Sequence, residues 1–214
     1  MDFLVNTIID YFTGNNEMAL AIVVKPGVER LQVQSVAKTE KITPRQILTA
    51  HGTADGGNLS KLPEIQNAIN EAMKEVETDF LWENLLEKEG QFSVEDICQE
   101  YFGDKQPINI SALARVMLED NVHFKRVQNQ FTVNSREEAE KIETLKRQRA
   151  EKAALRERTM KWLSDTLAAK PAESPQPVPE EQEAFIANTI DFLLRGSNNE
   201  AVNLLSAASG KLNV

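Results

Sequence analysis

Cysteine is all but absent from this 214-residue sequence; Cys98 is the only one, so no intramolecular disulfide can form. A lone thiol at an apolar helical position reads as a small core residue. Histidine is as scarce. His51 and His123 are the only two, and with a single cysteine they give no zinc site of usual spacing and no histidine–nucleophile constellation. Long apolar runs are missing, since nothing approaches the ~20 residues of a membrane span. The opening MDFLVNTIIDYF has no basic leader and carries Asp2 and Asp10, so it makes a poor signal peptide. The expected location is the cytoplasm, with no membrane partner. The Gly-rich stretch 51–58 lacks the Lys-Ser/Thr pair of a phosphate-binding loop, and nothing marks a small-molecule substrate.

What is present is ordinary for a globular protein: 41% hydrophobic and 27% charged residues. Acidic residues outnumber basic ones 33 to 24, a net charge of -9. That balance argues against a chain whose whole surface grips nucleic acid, because phosphate contacts need Lys and Arg. A local basic face stays open.

Hydrophobic periodicity predicts an α+β chain. Residues 1–50 hold β-rich runs, TIIDYF at 7–12 and MALAIVVK at 18–25, then RLQVQSV at 30–36, where Leu31 and Val33 alternate with Gln32 and Gln34. Four short strands in this length suit a small, strongly bent sheet or SH3-like β-barrel. Residues 51–60 read as a flexible linker. Residues 61–134 read as a helix followed by a winged helix: an amphipathic helix over 63–76, then helices carrying Leu81, Trp82, Leu85 and Leu86; Val94, Ile97, Cys98 and Tyr101; Ile110, Leu113, Ala114 and Met117. Ser93 is a candidate cap. A hairpin, VHFKRV and QFTV around Gln128-Asn129, closes the series. A long charged helix is expected over 135–169, a Pro-rich linker over 170–181 and a helical tail over 182–214, with helices at 181–195 and 199–209.

Candidate chemistry is confined to binding. Segment 78–120 has ten acidic residues against Lys88, Lys105 and Arg115. Its third helix offers only Asn109, Ser111 and Arg115, a poor set for reading a DNA groove. The hairpin gathers His123, Lys125 and Arg126. Arg149, Lys152 and Arg156 fall on one face of the long helix, flanked by Glu151 and Glu157, and Lys41 and Arg45 bracket a Thr-Pro turn in the strand-rich region. These eight residues are the candidate RNA contacts, although basic residues of this kind are more often simply solvated. Tyr11, Phe12 and Phe124 are the only candidate stacking platforms, and each fits a core as well.

The stretches IIDYFTGNNEMALAIVV (8–24), RLQVQSVAKTEKITPRQI (30–47), VHFKRVQNQFTVNSREEAEKI (122–142) and AVNLLSAASGKLNV (201–214), with the helix of Trp82, Leu85 and Leu86, resemble in order and spacing the amino-terminal region of bacterial ribonuclease II-type (RNB family) exoribonucleases. The resemblance implies the front third of a 3′–5′ exoribonuclease, a hydrolase whose clustered aspartates hold magnesium. No such cluster stands in this sequence. Glu95-Asp96 and Glu119-Asp120 are its notable adjacent carboxylate pairs, and helix neighbours point about 100° apart. No catalytic residues and no cofactor are expected in the chain itself, with magnesium belonging to an absent catalytic domain. The expected role is a non-catalytic RNA-degradation module, met as a fragment, a truncated product or a stand-alone form. It would guide single-stranded RNA or a partner toward a separate or downstream catalytic domain. The alternative is a protein-interaction adaptor using the acidic winged helix. A DNA-binding winged-helix regulator ranks third.

Overall fold

The computed structural model describes residues 3–14, 17–88, 90–168 and 178–195. Two compact units divide the chain between Lys141 and Ile142.

The first unit opens with five antiparallel strands: β1 (Thr7–Phe12), β2 (Met18–Lys25), β3 (Leu31–Gln34), β4 (Thr39–Ile42) and β5 (Ile47–Thr53). Their order in the sheet is β4-β3-β2-β1-β5. Alternation decides which side chains go where. Ile9, Tyr11, Ala21, Val23, Leu31, Val33 and Ile42 build a core on one face. Ile8, Leu20 and Ile22 point to the other face. β4 and β5 are the two edges of the sheet, so the expected SH3-like barrel is an open sheet and not a closed one. A fifth strand replaces the expected linker at 51–60. β5 runs through His51, Gly52 and Thr53, Ala54 is 2% exposed, and its N–H donates to the Asn6 carbonyl at 2.8 Å. Gly52 has φ of +95°. Glycine there permits a left-handed residue within the strand, a constraint that reads in sequence as looseness.

Helix α1 (Lys61–Met73) lies against the second face of the sheet. Its Leu62 and Ile69 join Ile8, Leu20, Ile22 and Ala54 in a core that also takes Ala112. The stretches 1–50 and 61–134, expected as separate domains, therefore share a core and one compact unit.

Next come α2 (Thr78–Leu86), β6 (Phe92–Ser93), α3 (Val94–Tyr101), α4 (Pro107–Glu119), β7 (Phe124–Val127) and β8 (Gln130–Val133). With the sheet order β6-β8-β7, this is a winged helix. Ser93 caps α3, its Oγ accepting from the Asp96 N–H at 3.2 Å. Leu81, Leu85, Val94, Ile97, Cys98, Ile110, Leu113, Met117, Phe124 and Phe131 form one core, and Phe12 of β1 inserts into it. Burial pushes the Cys98 thiol up to about 11, as for an inert core cysteine. Helix α4 is buried on most of its circumference, at Ile110, Ser111, Ala112, Leu113, Ala114, Arg115 and Met117.

The long charged helix is α5 (Arg136–Ala168), 33 residues, which starts in the first unit. In the second unit Leu163 of α5 packs with Phe185 of α6 (Glu180–Arg195), beside Met160, Trp162 and Ile186. The helix expected over 199–209 and residues 170–177 of the Pro-rich stretch lie outside the described residues.

Candidate nucleic-acid interface

On the hairpin of β7 and β8, alternation puts Lys125 and Arg126 on opposite faces, while His123 precedes the strand and is held by Asp120 and Trp82. Lys125 is exposed, opposite Thr132. His123 and Arg126 turn inward. His123 lies against Trp82, 4.3 Å between ring centroids, and its Nδ1 sits 2.7 Å from Asp120 Oδ2. Burial pushes the Asp120 carboxyl up. Hydrogen bonds from the His123 side chain, the His123 N–H and the Val122 N–H outweigh that, and hold it below its ordinary value.

Arg126 spans the gap between hairpin and sheet. Its guanidinium stands 3.7 Å from the centroid of the Phe12 ring, a cation–π arrangement in a half-buried place. Its Nε donates to the Gln128 carbonyl, and burial lowers the pKa of the group. Beside it, Gln46 Nε2 donates to the Phe12 carbonyl at 3.1 Å, and Asn129 Nδ2 donates to the Arg45 carbonyl. The wing is thus fastened to the turn between β4 and β5. Arg45 is brought next to the wing tip through its backbone, with its side chain exposed, and Lys41 is exposed on β4. Arg149, Lys152 and Arg156 are exposed along α5 in the second unit. The eight candidates therefore fall on two units, and within the first unit two of them take part in packing.

Sequence reasoning missed a buried polar network under the sheet. Arg115 of α4 holds Asp10 of β1 through both terminal guanidinium nitrogens, Nη1 and Nη2, with Nη2 3.0 Å from Oδ1. Nη1 also donates to the Ser111 carbonyl at 3.2 Å. Ser111 Oγ and His51 Nε2 share a hydrogen bond of 3.1 Å. Burial lowers the His51 pKa; Asp10 raises it and Arg115 lowers it. Asp10 and Ser111 are fully buried. A buried charge pair of this kind is indistinguishable in sequence from two surface charges. The signal available was Asp10 itself, a carboxylate between apolar neighbours in TIIDYF.

This network removes Arg115 from any role in gripping a groove. The surface outside it is lined by Glu17, Met18, Leu118 and Glu119, whose carboxylates repel phosphate. No three carboxylate, imidazole or thiol side chains converge among the described residues.

Residues 64–139 match the family model for the winged helix domain of ribonuclease II. The match supports a ribonuclease II-type relationship for this part of the chain and takes in most of α1, then α2 to β8 and the start of α5. No curated protein and no solved structure matches the chain.

Proposed function

We propose that the chain is a non-catalytic module of RNA degradation that guides single-stranded RNA, or a protein partner, toward a ribonuclease II-type catalytic domain. The observation that carries this reading is the match over 64–139 on a winged helix whose third helix is walled in. In a groove-reading winged helix that third helix lies in the major groove. Here α4 is covered by α1, α3 and β5, and its single arginine is committed to Asp10. Burial of α4 argues against the DNA-regulator reading and leaves the domain as a rigid platform. On this reading magnesium belongs to the catalytic domain, and the module works in the cytoplasm. No helix among the described residues is long and apolar enough to cross a membrane.

One observation favours the adaptor reading. Phe80, 54% exposed, meets Tyr101 edge-on over a groove floored by Leu81, Leu85 and Ile97 and rimmed by Glu100. The two readings part on single-stranded RNA. Fluorescence anisotropy of a labelled oligouridylate with the full chain should show binding that falls steeply as salt rises, because phosphate-driven affinity follows counterion release. Absence of binding at low salt leaves the adaptor.

A further inference from the structure

The cations of the first unit divide by location. Around α1 to α4 each has a carboxylate: Lys61 with Asp55, Lys74 with Glu71, Lys88 with Glu100, Lys105 with Asp96, Arg115 with Asp10. In the five-stranded sheet and its turns, among the described residues, only Lys38 between β3 and β4 is so held, by Glu40. Lys25, Lys41 and Arg45 have no ion-pair partner among the described residues.

Register places two of these together. Gln32 on β3 pairs with Lys41 on β4 and with Lys25 on β2. Gln34 pairs with Thr39 in the next row. Residues directly opposite in an antiparallel sheet share a face, so Lys25, Gln32 and Lys41 form a row across three strands. Lys25 reaches it through an irregularity. The β2–β3 register slips by one residue between Val23 and Lys25, and such a slip transfers a side chain to the opposite face. Without it Lys25 would follow the buried Val23. Gln32 and Gln34 alternate with the buried Leu31 and Val33, and Lys25, Thr39 and Lys41 are exposed. Glu40, the carboxylate of β4, is on the other face, where it accepts from the Tyr11 hydroxyl at 2.7 Å. Adjacent strands lie about 4.8 Å apart, so the two lysine backbones stand roughly 10 Å from each other.

We infer that this face of β2, β3 and β4 is a phosphate-binding surface for single-stranded RNA, with Lys25 and Lys41 neutralising phosphates and Gln32 donating between them. The inference rests on the RNA reading above and gives it a location away from the wing. Charge complementarity selects the occupant. Among the described residues the face carries two cations with no ion-pair partner and two amides but no carboxylate, on a chain of net charge -9 whose cations around α1 to α4 are each matched by a carboxylate. No aromatic side chain stands in either row, so the surface grips backbone without stacking bases, and its binding is independent of sequence.

The test is anisotropy of labelled oligouridylate with the full chain, wild type against Lys25→Gln/Lys41→Gln and against Lys125→Gln, across a salt series. Both lysines are exposed, and unchanged thermal melting of the double variant verifies that it folds. The double variant should bind about tenfold more weakly at low salt. It should flatten the slope of log K against log salt by about 1.4, at about 0.7 per phosphate contact on single strands, and Lys125→Gln should change both less. Binding by the wild type that the double variant retains overturns this surface and leaves the RNA reading standing. A wild type that ignores RNA, or prefers polyglutamate, overturns both.

Discussion

The indole of Trp82 lies against the imidazole of His123, tilted by 38°, and its Nε1 donates to the Asn134 carbonyl at 2.9 Å. One side chain thereby joins α2 to both ends of the wing. His123 is oriented by this contact and by Asp120, which accounts for its packing role.

Trp82 is therefore a stability residue even though it is only half-buried. Trp82→Ala should cost about 2–3 kcal/mol, below the range for a fully buried aromatic. Trp82→Phe keeps the packing and loses one hydrogen bond, a cost of about 1 kcal/mol. Chemical denaturation of the full chain reads both. Equal losses for the two variants would show that the ring contact contributes nothing.

Asp10 and Arg115 make a sharper case. Removing one partner leaves a buried charge uncompensated, so Asp10→Ala and Arg115→Ala should each lose about 3–5 kcal/mol. The apolar pair Asp10→Leu/Arg115→Met should recover most of that loss, since a buried ion pair is often no better than a packed apolar one. A double variant as unstable as the singles would mean that the polar network itself, including Ser111, holds α4 to the sheet.

His51 gives a pH dependence with a definite sign. Its folded pKa lies below its ordinary value of 6.5, chiefly because burial disfavours the imidazolium. The unfolded chain then binds the proton first as pH falls. The stabilisation is whole above the unfolded value and is lost as acid carries the pH down through the folded value. Melting at about pH 7.5 and about pH 5.5 should show the wild type losing more than His51→Gln. A variant with the same pH slope would assign the loss to other groups.

Limited proteolysis examines the segment between sheet and α1. It resembles a linker in sequence, yet β5 pairs with β1 there, and Ala54 is buried. Backbone held in a ladder resists cleavage, so no early cut should fall within 47–54. A stable fragment starting near residue 61 would show that the sheet and α1 do not share a core.

The winged helix was legible because its cues are local. Leu81 and Leu85, Val94, Ile97 and Cys98, and Ile110, Leu113, Ala114 and Met117 recur at helical spacing, and all are buried. Ser93 caps as its position predicts. β6 was not legible, since it has two residues and pairs with Phe131 and Gln130 far along the chain. β5 was hidden by His51, Gly52 and Thr53, whose polar and small side chains carry no apolar alternation. The candidate site divided for the same reason. Composition finds Lys and Arg, but whether Arg126 faces water or Phe12 depends on which face of β7 meets the sheet, and only tertiary packing decides that.

The span from Asp10 to Arg115 also sets an order of events on the ribosome. β1 and β2 can pair as soon as they emerge, but the carboxylate of β1 waits 105 residues for its guanidinium. At about 5–20 residues per second of synthesis, that wait is roughly 5–20 seconds. Phe12, waiting likewise for the core that includes Leu113 and Phe124, stays uncovered through the same interval. The nascent hairpin therefore presents Phe12 and an unpaired carboxylate until α4 is translated, long after β5, the last strand of its own sheet, has been made.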